Sequence, residues 1–177
     1  VLSALSVIAH PGDKILVHSP TYIGFTMALG TAGYTIVHSP LIFENGTWHM
    51  DYADMDKKIK ENHIHAAILC SPHNPCGRVW KQEELEKAMK VYEDNEVNLI
   101  SDEIWSDLLM NGNKHIPTQS VNTYAHDHTI AFYAPSKTFN LAGLVGSYHI
   151  IYNKTLNDRV VGNGDKTHYN EMNVLSM

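Results

Sequence analysis

Four side chains able to do chemistry stand directly after short apolar runs of the sequence. Tyr22 follows Ser19-Pro20-Thr21. Asn74 lies within Ser71-Pro72-His73-Asn74-Pro75-Cys76-Gly77. Asp102 opens Asp102-Glu103-Ile104-Trp105. Lys137 lies within Ala134-Pro135-Ser136-Lys137-Thr138-Phe139-Asn140. A primary amine captures an aldehyde as an imine. A carboxylate beside a pyridine nitrogen keeps it protonated, so that the ring can draw electrons. A flat aromatic stacks on such a ring, and an amide donates to a phenolic oxygen. Together these groups suit pyridoxal 5'-phosphate. Singly each has a plainer reading, since a lone lysine is ordinarily solvated and a lone aspartate ordinarily caps a helix. Their joint placement carries the argument.

That placement depends on the elements between them. Short β-rich runs are predicted at residues 14–18, 35–38, 66–70, 97–101, 129–133 and 146–152. Helices are predicted at 22–32, 51–62 and 81–95, with Asp51 as a cap and Glu83/Lys87 and Glu86/Lys90 as surface pairs. The alternation predicts an α/β chain, with a mostly parallel sheet covered by helices. Such sheets bind ligands beyond the C-terminal ends of their strands, where the four side chains fall.

The chain has 177 residues, 44% hydrophobic and 18% charged, enough for one sizeable core. With 13 Lys+Arg against 19 Asp+Glu the net charge is -6, no footprint for nucleic acid or an anionic membrane. The longest apolar runs are too short to span a bilayer. Two cysteines, Cys70 and Cys76, make no disulfide framework, so a reducing compartment is expected. The sequence lacks an initiating Met, opens on an apolar helical pattern at 1–8 and closes on another at 172–177. A piece of a larger polypeptide is therefore expected, with a boundary in the polar stretch 162–173.

The three motifs beginning at Ser71, Ser101 and Ala134, the last running on through Leu141-Ala142-Gly143-Leu144, resemble the motif series of class I/II aminotransferases of fold type I. Their wording is closest to the cystathionine β-lyase branch of carbon–sulfur lyases, and order and spacing match along nearly the whole chain. The resemblance implies a three-layer α/β/α fold, with residues 1–161 as the core of the cofactor-binding large domain and 162–177 leading to a small domain. It implies that Lys137 forms the Schiff base, Asp102 pairs with the pyridine nitrogen, Asn74 bonds the phenolic oxygen, Tyr22 stacks on the ring and Ser136 contacts the phosphate. Val1 and Leu2 match the end of the phosphate loop. Peptide bonds before Pro20 and Pro75 are expected to be cis. A homodimer in the cytoplasm, acting on a small amino acid, is implied as well.

Three departures bear on activity. Trp105 stands where many relatives have Tyr; within the cofactor-binding set its indole N–H donates but cannot accept. Ala134 replaces a common serine. No Arg occurs in 140–149, where aminotransferases usually carry a phosphate-binding one, an absence that the lyase branch resembles. The family's substrate-carboxylate Arg belongs to a C-terminal domain that this sequence does not contain. The implied activity is β-elimination on a sulfur amino acid such as cystathionine, giving thiol, pyruvate and ammonia. The alternatives are an aminotransferase, or a non-catalytic piece that only binds cofactor or dimerises.

Other patterns carry less. Tyr133 and Lys137 have the Tyr-x-x-x-Lys spacing of short-chain dehydrogenases. Pro135 between them opposes the shared helix face that this pair requires, and no Gly-x-Gly-x-x-Gly follows the first strand. Twelve histidines include His63-x-His65 and His126-x-His128 in polar stretches before strands, and Cys70 and Cys76 lack metal-ligand spacing, so no metal is expected. Glu103, beside Asp102, is expected to point away from it and to bond backbone or cap. Trp48 and Trp80 read as packing residues.

Overall fold

Residues along a strand face alternate sides, and here both sides are apolar. The computed structural model describes residues 1–144 and 146–167. In chain order its elements are α1 (Leu2–Ile8), β1 (Lys14–Ser19), α2 (Ile23–Thr31), β2 (Thr35–Pro40), β3 (Ile42–Glu44), β4 (Thr47–His49), α3 (Tyr52–Asn62), β5 (Ala66–Cys70), α4 (Gln82–Asp94), β6 (Asn98–Asp102), α5 (Thr123–His128), β7 (Thr129–Tyr133), α6 (Pro135–Thr138), β8 (Tyr148–Ile150) and α7 (Lys154–Thr167). Ile15, Val17, Ala66, Ile68, Ile100 and Ile130 meet Leu5, Phe25, Leu29, Leu156 and Val160 from α1, α2 and α7. Leu16, Ala67, Leu69 and Leu99 face the other way, onto Met55, Ile59, Leu85, Met89, Tyr92 and Ala125 from α3, α4 and α5. The result is the three-layer α/β/α sandwich expected from the sequence.

The sheet has six strands in the order β2-β1-β5-β6-β7-β8. All neighbours are parallel except β8, which runs antiparallel to β7. All five residues of β5 are buried, as a strand covered on both faces requires. Asp51 caps α3 by accepting from Asp54 N at 3.0 Å. Gly33, at φ +82°, makes the turn after α2, and its carbonyl accepts from Gly12 N at 2.8 Å, joining the approaches to β1 and β2.

Several expectations change. The expected pairs on α4 give way to others: Gln82 donates to Glu86 and Lys90 pairs with Asp94. Lys87 instead lies over the Tyr52 ring, 6.0 Å from its centroid. The last strand is three residues, 148–150. A hairpin, β3–β4, and three helices, α5, α6 and α7, were not expected. Helix α7 runs through Gly162 and Gly164, with Leu156 and Val160 buried one turn apart. The helical pattern expected at 172–177 lies outside the described residues. No helix among the described residues is long and apolar enough to cross a membrane.

One core position is sensitive to acid. His18 on β1 is buried, and among the described residues neither ring nitrogen has a partner at good hydrogen-bond geometry. Burial, then the neighbouring His73, lowers its pKa from 6.5 to about 4. The unfolded chain therefore binds a proton that the folded chain refuses. His18's contribution to stability is complete well above pH 6.5 and is lost as pH falls toward 4, about 3 kcal/mol in all. Urea unfolding at about pH 7.5 and about pH 5 should show a loss that shrinks by about 2 kcal/mol in His18→Gln. An unchanged pH dependence in that variant would refute the assignment.

Candidate active site

Each predicted side chain sits where a strand ends. Tyr22 follows β1 and stands at the N-terminus of α2. Asn74 lies in the turn after β5, Asp102 ends β6, and Lys137 sits in α6, which begins on Pro135 directly after β7. Neighbouring strands are about 4.8 Å apart, so β1, β5, β6 and β7 bring these four groups to one edge of the sheet. There they line a cleft of about 300 Å³, together with Trp105 and Ser136.

Local packing holds each group. The Tyr22 ring meets Phe25 edge-on at 5.5 Å. It lies so close over Gly24 that a Cβ there would stand 2.2 Å from Tyr22 Cε1, so only glycine admits this ring position. His73 Nε2 donates to the Pro20 carbonyl at 2.8 Å, tying the turn that carries Asn74 to the one that leads to Tyr22. Trp80 lies beneath, its Nε1 donating to the Cys70 carbonyl at 2.9 Å. The Ser19–Pro20 and Asn74–Pro75 peptide bonds are cis, as expected, and Ser71–Pro72 is cis too.

Asp102 Oδ1 accepts from Ile104 N at 3.1 Å. Burial raises the Asp102 pKa and adjacent Glu103 adds to it, while the Ile104 amide and Lys137 act in the opposite sense. Lys137 Nζ lies 5.3 Å from the centroid of the Trp105 ring. Among the described residues, Lys137 Nζ, Asp102 Oδ2, the Asn74 side-chain amide and the Ser136 hydroxyl have no hydrogen-bond partner in the protein. An amine, a carboxylate, an amide and a hydroxyl left open around one cleft are the donor set that an aromatic aldehyde bearing a phosphate requires, so the residues fit pyridoxal phosphate.

Val1 and Leu2 do not line this cleft. Val1 caps α1, and Leu2 packs against the core. Cys70, Ile104, Ala134, Ala142, Gly146 and Ser147 also line it and were not anticipated. For Cys70, Ile104 and Ala134 the signal was present, since each touches a motif already singled out. Glu103 points away from Asp102 and bonds a backbone amide, as expected, but it is also fully buried and accepts from three side chains.

The competing patterns dissolve. Tyr133 ends β7 and gives its hydroxyl to Glu103, while Lys137 sits beyond in α6, so the two share no helix face. His126 and His128 lie in α5, directly before β7 as expected, stacked on Tyr152 and Tyr124. Among the described residues no group of three or more His, Cys, Asp or Glu is placed to hold a metal. Both cysteines are free. Arg159, the first arginine after Lys137, donates to the Val7 carbonyl, away from the cleft.

A mostly parallel α/β sheet that sets an exposed lysine and a half-buried carboxylate around one cleft at its strand ends defines a cofactor-binding scaffold. Residues 1–162 match the family described as aminotransferase class I and II, and the chain belongs to that family. It is 38% identical over 148 residues to cystathionine beta-lyase PatB of Bacillus subtilis, covering 84% of this chain and 38% of PatB. It is 32% identical over 144 residues to an alanine aminotransferase of Mycobacterium tuberculosis, covering 81% of this chain and 32% of that protein. Cystalysin of Treponema denticola, whose crystal structure contains pyridoxal 5'-phosphate, superimposes with a TM-score of 0.92 at 36% identity, over 98% of this chain and 44% of its own. The chain thus spans less than half the length of the relatives it matches.

Proposed function

We propose that the cleft binds pyridoxal phosphate and serves a carbon–sulfur lyase acting by β-elimination on a sulfur amino acid such as cystathionine. The products are a thiol, pyruvate and ammonia, with one water consumed. The observation that carries this reading is the meeting of Lys137, Asp102, Asn74 and Tyr22 in one cleft.

The cofactor supplies an electron sink next to the substrate's Cα. Lys137 Nζ would hold the cofactor's aldehyde carbon, and as a free amine it would take the substrate's Cα proton as general base. Asp102, half-buried in the cleft wall, would keep the ring nitrogen protonated, and a cation beside it favours the ionised carboxylate. Tyr22 covers one face of the ring, Asn74 donates to the phenolic oxygen, and Trp105 offers an N–H alone. Ser136 reaches the phosphate. In this reading residues 1–161 are the core of the large domain, and the complete enzyme is a cytoplasmic homodimer.

The lyase is preferred for two reasons. No arginine lies between Lys137 and Arg159, so phosphate is held by amides and hydroxyls, as in the branch that the motifs resemble. PatB supports the same choice. An aminotransferase, favoured by the likeness to alanine aminotransferase, would use the same groups up to removal of the Cα proton. The full-length protein incubated with cystathionine should release pyruvate at a rate at least about tenfold above amino-group exchange between alanine and a 2-oxo acid. Exchange without pyruvate release from cystathionine would establish the transferase instead.

A further inference from the structure

Asp102 faces the cleft, and Glu103, next along the chain, faces the interior. A carboxylate in such a place is costly unless its oxygens are fully occupied, and here they are. Oε1 accepts from Ser101 Oγ at 2.9 Å and Thr118 N at 3.0 Å. Oε2 accepts from His115 Nε2 at 2.5 Å and Tyr133 Oη at 2.6 Å. The Ser101 and Thr118 hydroxyls also bond each other at 2.9 Å.

The donors come from three places. Ser101 belongs to β6, His115 to the far end of the connection that starts after Glu103 with Thr118 in the turn just beyond it, and Tyr133 to the end of β7. That connection, residues 104–117, has no fully buried residue, and Leu108 and Met110 on it are 46% and 77% exposed. It is held mainly by polar ties. One is Glu103. Another is Thr138 Oγ1, which donates to Asp107 Oδ2 at 2.9 Å beside Lys137. Trp105 lies on this segment, and Tyr133 stands one helical-turn length of chain before Lys137.

We propose that Glu103 is a positioning residue for the cleft: its buried carboxylate fastens the Trp105 segment, through His115 and Thr118, to the strand that delivers Lys137, through Tyr133, and so sets how the indole and the amine face each other. This rests on the cofactor reading above for what the cleft holds, and adds a residue that touches neither cofactor nor substrate. Burial by itself would raise the Glu103 pKa, but the bonds from His115 and Tyr133, the His115 charge and the Thr118 amide hold it below the ordinary range, so the hub is an anion accepting from all sides.

The test uses the full chain as wild type, Glu103→Gln, His115→Gln and Tyr133→Phe. Two measurements are made on each: the rate of trypsin cleavage after exposed Lys114, and the rate of borohydride trapping of pyridoxal phosphate on Lys137 at saturating cofactor, read by peptide mass. Glu103→Gln should speed cleavage and slow trapping, each by about tenfold; the single-bond variants should do both by about threefold. If Glu103→Gln does not fold, the other two carry the comparison. Faster cleavage with wild-type trapping overturns the positioning role, because the tether would then be structural alone. Unchanged cleavage and trapping overturn it as well. No trapping in the wild type overturns the cofactor reading itself, whatever the variants do.

Discussion

Lys137→Ala is expected to abolish covalent capture of pyridoxal phosphate and to lower pyruvate formation from cystathionine by about 10³-fold or more, the scale on which a positioned general base acts. Stability should hardly change. The Lys137 side chain is exposed, and among the described residues it makes no ion pair; its one aromatic neighbour is Trp105 at 5.3 Å. A cation–π contact of that kind contributes about 0.5–1 kcal/mol at an exposed site. Loss of the lysine-bound absorption band with an unchanged urea midpoint is thus the expected pair of results. Full pyruvate output from the variant would remove Lys137 from the reaction.

Trp80→Ala should have the largest effect on folding, about 3–5 kcal/mol. Trp80 is 1% exposed and sits among the residues that pack α3 and α4 on the sheet. Its indole N–H holds the Cys70 carbonyl, its ring edge meets His73 at 5.7 Å, and the Arg78 guanidinium lies over it at 4.9 Å. Alanine would leave a cavity and strip support from the turn that presents Asn74, so cofactor retention should weaken along with the midpoint. Trp48→Ala is the control. Trp48 is half-buried on β4 against Phe43, and its loss should cost about 1 kcal/mol. Equal shifts in the two variants would contradict the core assignment of Trp80.

The sequence revealed most where a single local signal was enough. The run at residues 66–70 is apolar throughout, and it became β5 without adjustment; Thr129–Tyr133 became β7 in the same way. The strand-end rule then located Tyr22, Asn74, Asp102 and Lys137, because it needs only the order of elements. What was missed depended on partners far apart in sequence or on weak signals. The Asn45-Gly46 step is a hairpin signal between β3 and β4, but three-residue strands are too short for alternation to register. In α7, Gly162 and Gly164 hide a helix whose buried side depends on contact with α1, at the other end of the chain. Glu103 looked like a backbone ligand because its neighbours in sequence say nothing of His115 or Tyr133.

The parallel order of β1, β5, β6 and β7 has a consequence for how the molecule assembles. In the β1–β5 pair, Val17 meets Ile68. Loops of that length are closed at an entropic cost before any pairing stabilises them, and sheets made this way form slowly. The cleft needs all four of these strands at once, so no shorter stretch of chain can present it, and it forms only as the sheet completes. A ligand gripped there binds the native state and not its partly zipped precursors. Its concentration then acts directly on the global unfolding equilibrium, and amide protons deep in β5 and β6 should be the ones whose exchange it slows.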